Sequence, residues 1–260
     1  MEDKDYPEDQ AILKVRAITL RFGGLEALNG LSLAISPHQI VSIIGPNGAG
    51  KTTLLNAITG VLSPDSGEIL FRARPISRLK PFQIASLGIN RTFQQAQLFA
   101  NMTVLENVMV GRHPRTKTGF LGGMLHLPNE RREEKEIKEK AASLLDFFGL
   151  LSKAGWMASH ISIAEQKRLE ISRAMAGEPA LLLLDEPVAG LNIRETEEIG
   201  DLIVKLREKG QTIILVEHNM HLVMSISDWV IVLHHGSKIS EGRPEEMQKD
   251  RRVVEAYLGR

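Results

Sequence analysis

The sequence has no cysteine among its 260 residues, which excludes disulfides, thiolate metal sites and cysteine nucleophiles but leaves the redox compartment undecided. It has no excess of either charge. Its 32 basic side chains are offset by 32 acidic ones, so the net positive field that drives most sequence-independent nucleic-acid binding is missing and no nucleic-acid partner is expected. No stretch approaches the ~20 apolar residues of a membrane span. The opening MEDKDYPEDQ is acidic where a secretory signal would be basic and then apolar, so a cytoplasmic chain with a disordered acidic leader over residues 1–10 is expected. There is also no internal repeat.

What is present is enough hydrophobic sequence, 43% against 25% charged, to bury one sizeable α/β core with a smaller attached lobe. AILKVRAITL, LSLAIS and GEILF are short, partly alternating and separated by Gly, Asn and Pro, which predicts an N-terminal antiparallel β layer. From residue 40 the apolar runs become short and continuous, in IVSII, LLLL before Asp185, TIILV and WVIVL, with helical patterns between them. That pattern predicts a buried, mostly parallel sheet. Between about residues 95 and 165 no strand pattern stands out, and a helical subdomain is expected there within a single domain spanning residues 11–260.

Inside that lobe RREEKEIKEK leads into AASLLDFFGLL and reads as the solvated entry of a helix. The preceding TKTGFLGGMLHLP reads as a loose connection, with a partner-contacting loop as the alternative. Trp156 and Trp229 are expected in the core or at its boundary. His234 and His235 lack metal-like companion spacing.

The strongest chemistry lies in GPNGAGKTT, residues 45–53, which follows the strand pattern QIVSII and runs into the apolar helix pattern LLNAITG. This is a complete P-loop in its required setting. Gly45, Gly48 and Gly50 let the backbone curl closely enough for successive NH groups, with a helix N-terminus, to surround phosphate oxygens. Asn47, Ala49 and Thr53 belong to the same nucleotide-binding segment. Lys51 is expected on the β and γ phosphates, and Thr52 on Mg²⁺. The loop by itself admits ATP or GTP, although no Asn-Lys-x-Asp guanine reader follows a strand.

LLLLDEP, residues 181–187, ends a buried strand in two carboxylates. Asp185 suits the Mg²⁺ shell, and Glu186 suits orienting or deprotonating the attacking water. Taken alone, the pair could equally cap a following helix. Beside a P-loop the strand ends converge on one crevice, and TIILVEHN delivers His218 to the same rim, where its imidazole could contact the γ phosphate or the water. ISIAEQKRLEISRAM, residues 161–175, reads locally as a helix capped by Ser162 and Glu165 in a capping box.

GPNGAGKTT, LLLLDEP and VEHN, in this order and separation, resemble the P-loop, Walker B and switch-histidine motifs of ABC transporter ATPases, over nearly the whole chain. RFGGLEAL, AGLN, the RREEKE lead-in and the ending VVEAYLG resemble the branched-chain amino acid subfamily of ATP-binding subunits. The resemblance implies the ABC ATPase fold and a subunit that hydrolyses ATP with Mg²⁺. It also implies a second ABC ATPase in a homo- or heterodimer, integral membrane permease subunits, an indirectly engaged substrate-binding protein, and a peripheral place on the inner face of the cell membrane. Phe22 would stack on adenine, and Gln94 would touch Mg²⁺ and face the membrane partner.

By the same resemblance ISIAE stands where the family has an LSGGQ-like signature, which meets the nucleotide on a second subunit's P-loop. Ser162 matches; Ala164 and Glu165 do not. Ala164 would add a Cβ where close approach is wanted. A carboxylate at Glu165, about 6 Å from a phosphate charge, would cost roughly 3 kcal/mol at an effective dielectric near 20, more than the ~0.3–1 kcal/mol attraction of the helix end. A weakened signature is therefore expected. Two other readings remain: a soluble non-transport ABC-fold ATPase, separable by co-purification with a permease, and a catalytically weak assembly subunit suggested by ISIAE.

Overall fold

The computed structural model describes residues 10–92, 98–112 and 128–258. The leader expected to be disordered, Gln94 with its expected place beside Mg²⁺, and the 113–127 connection lie outside the described residues, apart from Gln10 at the end of the leader.

Two sheets form the frame. β1 (Leu13–Phe22), β2 (Leu25–Ile35), β4 (Ser66–Phe71) and β5 (Arg74–Pro75) make an antiparallel sheet in the order β2-β1-β4-β5. The second sheet has the order β10-β9-β3-β8-β7-β6, from β3 (Ile40–Ile44), β6 (Ile89–Arg91), β7 (Leu181–Asp185), β8 (Thr212–Val216), β9 (Trp229–His234) and β10 (Ser237–Gly242). All its pairings are parallel except the β9–β10 hairpin. Every residue of β3, β7 and β8 is buried, as expected of strands covered on both faces, and this explains their continuous apolar runs.

The period-two alternation of side chains divides those runs between two cores. Val41, Ile43, Leu181, Leu183, Ile214 and Val216 face the antiparallel sheet and α1 (Lys51–Ile58), with Leu54, Leu55 and Ile58 packed among them. Ile40, Leu182, Leu184, Ile213 and Leu215 face the opposite way, onto Ile199, Ile203 and Leu206. The helices run α2 (Pro81–Leu87), α3 (Val104–Val110), α4 (Pro128–Phe147), α5 (Ile163–Ala176), α6 (Ile193–Glu208), α7 (Met220–Ile226), α8 (Pro244–Met247) and α9 (Arg251–Leu258). Among the described residues from 98 to 165 there is no strand. Among the described residues, the lobe made by α3, α4 and the start of α5 does not close on a core of its own. Val104, Val108, Leu145, Phe148 and Leu169 join the second sheet face in one continuous cluster, so lobe and sheet hold each other in place.

Register then decides where the chemistry emerges. Ile43 pairs with Val216, and Val216 pairs with Asp185, so the C-terminal ends of β3, β8 and β7 stand in one row. With strands about 4.8 Å apart, the residues that follow each strand leave the sheet side by side. One tryptophan departs from expectation: Trp229 packs against the core, whereas Trp156 is 50% exposed, and its ring carries the Lys153 ammonium 4.9 Å from its centroid.

Candidate functional site

The loop from Gly45 to Gly50 leaves β3 and enters α1, whose N-cap is Gly50. At Gly45 φ is +150°, and a Cβ there would lie 2.1 Å from the Leu233 carbonyl oxygen. At Gly50 φ is +101°, and a Cβ would meet the Ala27 carbonyl oxygen at 2.7 Å. Both glycines therefore serve close packing against β9 and β2 as well as curling of the loop. Gly236 in the β9–β10 turn donates its N–H to the Ala49 carbonyl at 3.1 Å, which backs the loop from behind. Ala49 is buried, and Asn47, Gly48 and Thr52 are exposed. Thr53 is half-buried.

Lys51 Nζ donates to the carbonyls of Gly45 at 2.6 Å and Pro46 at 3.1 Å. Burial pushes its pKa below the ordinary lysine value, and the negative charges of Glu186 and Asp185 pull it part of the way back. The structure thus brings the P-loop cation and both β7 carboxylates into one electrostatic environment, although they lie far apart in sequence.

Asp185 is 2% exposed and its Oδ2 accepts from Arg91 Nη2 at 2.8 Å, the arginine being itself 7% exposed. Arg91 Nη1 also donates to Asn56 Oδ1 at 2.6 Å. One guanidinium therefore ties the helix that follows the P-loop to the strand that carries the acidic pair. The backbone N–H of Asp185 donates to Thr92 Oγ1 at 3.2 Å.

Glu186 begins the turn after β7 with φ at +49°, a left-handed conformation uncommon outside glycine. It persists because its N–H donates to the Val216 carbonyl at 2.9 Å, which continues the sheet one residue further. Its Oε1 lies 4.0 Å from Nδ1 of His218, whose ring is largely exposed. Beneath them Glu217 is buried and accepts three backbone N–H groups, from Val188 at 3.2 Å, His218 at 2.9 Å and Asn219 at 3.2 Å. That single carboxylate pins the loop after β7 to the loop after β8.

Phe22 ends β1, 50% exposed, and pairs with Leu25 at the start of β2. β2 then passes against Gly50 at Ala27 and Leu28, so Phe22 belongs to the strand pair that flanks the P-loop. Ser162 is the N-cap of α5, and its capping box with Glu165 is formed in both directions. The Ala164 side chain is turned inward at 5% exposure, and the neighbour presented to solvent is Ile163, 60% exposed. The steric obstacle expected at Ala164 is therefore not the feature that α5 presents outward. Glu165 is ion-paired with Lys153, Nζ to Oε1 at 2.6 Å.

Arg91, Asn56 and Lys153 had no motif to flag them, and Glu217 lay within VEHN with no role of its own. Their roles arise from partners 94, 35, 12 and 29 positions away.

The sequence matches the family described as ABC transporter over residues 28–189 and that described as branched-chain amino acid ATP-binding cassette transporter over residues 237–260. It is 46% identical to the high-affinity branched-chain amino acid transport ATP-binding protein LivG of Escherichia coli, over 96% of this chain and 98% of that protein. Among solved structures it is similar to the ADP conformation of an ATP-binding cassette of an ABC transporter. There the TM-score is 0.84 and the identity 34%, over 96% of this chain and 99% of that one. A dimeric post-hydrolysis cassette bound to ADP and Pi matches at TM-score 0.75 and 27% identity, over 89% of this chain and 98% of that one.

Proposed function

This chain belongs to the ABC transporter family of ATP-binding subunits, and on that premise we propose that it hydrolyses ATP to drive a membrane importer of branched-chain amino acids. The observation that carries the mechanism is the convergence of three strand ends, with the P-loop after β3, Asp185 and Glu186 at β7, and His218 after β8. The substrate class rests on the match of residues 237–260 and on the likeness to LivG.

In this reading the N–H groups of Gly45 to Thr53 and the Lys51 ammonium hold the phosphates of ATP, with Phe22 against the adenine. Glu186 takes a proton from the attacking water or orients it, and His218 steadies the γ phosphate from the next strand. The donors suit magnesium. Thr52 and Asp185 offer hard oxygens, and among the described residues no cluster of three or more His, Cys, Asp or Glu could enclose a metal by itself. That fits an ion held by one or two protein oxygens together with substrate phosphates. When bound, Mg²⁺ would neutralise developing charge on those phosphates. Gln94 would complete its shell.

Transport requires partners. No helix among the described residues is long and apolar enough to cross a membrane, so attachment to the inner membrane face would run through permease subunits. A cleft of about 390 Å³ between α2, β6, α3 and α5, lined by Ile84, Arg91, Phe99, Val110, Glu170 and Arg173, mixes apolar and charged side chains. It would suit a cytoplasmic segment of the permease. A second ATPase subunit would supply a signature to this chain's nucleotide and receive ISIAE in return, and a substrate-binding protein would act on the outer side.

Glu186→Gln separates binding from chemistry. It should keep Mg-ATP affinity within about twofold while single-turnover hydrolysis falls by about 10²-fold or more. Hydrolysis at the parental rate would remove Glu186 from the role of base. Failure of the chain to co-purify with any membrane permease would favour the soluble ATPase instead.

A further inference from the structure

Resting on the reading that the N-terminus of α5 closes on a nucleotide bound by a second subunit, we infer that Lys153 is a positioning residue of that composite site, whose ammonium neutralises Glu165 so that ISIAE can face phosphate. A carboxylate in the first turn of α5 would by itself repel the polyphosphate. The structure instead engages both of its oxygens within the lobe. Oε1 accepts from Lys153 Nζ at 2.6 Å, and Oε2 accepts from the Ser162 backbone N–H at 3.0 Å. The Ser162 hydroxyl accepts the Glu165 N–H at 3.3 Å and is itself within reach of the Glu165 carboxylate.

The lysine is placed for this task by its backbone. It closes a single 3-10 turn, Leu151–Lys153, where its N–H donates to the Leu150 carbonyl at 3.0 Å. The segment just after it is fastened to α3, since Leu105 donates to the Ala154 carbonyl at 3.0 Å and Val104 to the Trp156 carbonyl at 2.8 Å. The Trp156 ring then holds the ammonium from the other side, 4.9 Å from its centroid. Both partners are partly exposed, 30% for the Lys153 side chain and 21% for that of Glu165. The pair therefore lies where an approaching anion would feel its sum, which is close to zero. Lys153 touches no substrate; it acts through Glu165.

The test is ATP-driven self-association of the full chain in the hydrolysis-deficient Glu186→Gln background, followed by light scattering over an ATP titration at low and high salt. Monomer ATP affinity is measured in parallel. Lys153→Gln should raise the ATP concentration for half-maximal association by about tenfold at low salt, and by less at high salt. Its monomer affinity should be unchanged, because the P-loop is untouched. Glu165→Gln should restore association to the Lys153→Gln chain, and Lys153→Arg should behave as the parent.

A merely structural lysine would lower the melting temperature without moving the ATP requirement, and that result would overturn the role. So would a Lys153→Gln defect that persists in full beside Glu165→Gln. A parent that binds ATP yet stays monomeric would show that the pairing does not make ISIAE competent, with ATP binding intact. A parent that binds no ATP would instead sink the nucleotide reading itself.

Discussion

Replacing Arg91 with methionine would leave Asp185, 2% exposed, without the guanidinium that contacts its Oδ2 at 2.8 Å. Removing one member of a buried ion pair costs about 3–5 kcal/mol, because the remaining charge is uncompensated. Two local effects adjust that figure. The nearby Lys51 charge offsets part of the loss, while Asn56 Oδ1 loses the 2.6 Å bond from Nη1, worth about 1 kcal/mol. A net loss of about 3 kcal/mol lowers the melting temperature of a chain this size by about 6–12 °C. The assay is calorimetric melting of the parent, Arg91→Met and Arg91→Met/Asp185→Asn without metal, with the first two repeated in saturating Mg-ATP. The double variant should regain more than half of the deficit, since a neutral amide needs no counter-charge. Mg-ATP should narrow the deficit of the single variant, since Asp185 would then face a cation. A loss under about 2 °C, or equal losses in the single and double variants, would refute the coupling of the P-loop helix to β7 through Arg91.

Other residues give sharper local tests. Lys51→Ala should abolish tight Mg-ATP binding in a direct titration, because it removes the P-loop cation that bonds the Gly45 and Pro46 carbonyls; unchanged affinity would remove the lysine from the phosphate site. Glu217→Ala should cost about 2–3 kcal/mol in denaturant unfolding by stranding buried N–H groups, and should slow hydrolysis more than it weakens ATP binding, since it frees the His218 loop. Burial raises the Glu165 pKa, but the hydrogen bond from Lys153, reinforced by Ser162, outweighs it and holds the carboxyl below its ordinary value. The stability this contributes is fully present above the unfolded value of about 4.3 and is lost as pH falls through the lower folded value. The melting-temperature advantage of the parent over Glu165→Gln should therefore hold near neutrality and shrink at acid pH; an advantage that grows on acidification would contradict the pairing.

The frame of this protein was legible because its signals are local. Short, nearly continuous apolar runs bounded by turn signals suit strands covered on both faces, and IVSII, LLLLD and TIILV are fully buried. The P-loop was legible for a related reason, since a glycine-rich turn between such a strand and an apolar helix has one common use. Ion pairing across the fold was not legible. Glu165 read as an uncompensated charge because Lys153 lies 12 residues away, on a turn whose approach to α5 depends on two backbone bonds to α3. Likewise the period-3.6 pattern of α5 could not say whether Ala164 or Ile163 would face outward, because that depends on how the lobe shares its core with the sheet. Glu217 looked like a neighbour of His218, and only the adjacency of β7 and β8 makes it a clasp between their loops.

The left-handed backbone at Glu186, with φ at +49°, sets durability against turnover. Holding a glutamate there costs about 1–2 kcal/mol relative to a residue at ease in that region, and asparagine, whose short amide visits it readily, would recover part of that cost. Glu186→Asn should thus melt a few degrees higher than the parent while losing the carboxylate proposed as the base. A hardier form of this fold would then lie a single substitution away from the working one, and the chain would persist in the less durable form only while its hydrolysis is of use to the cell.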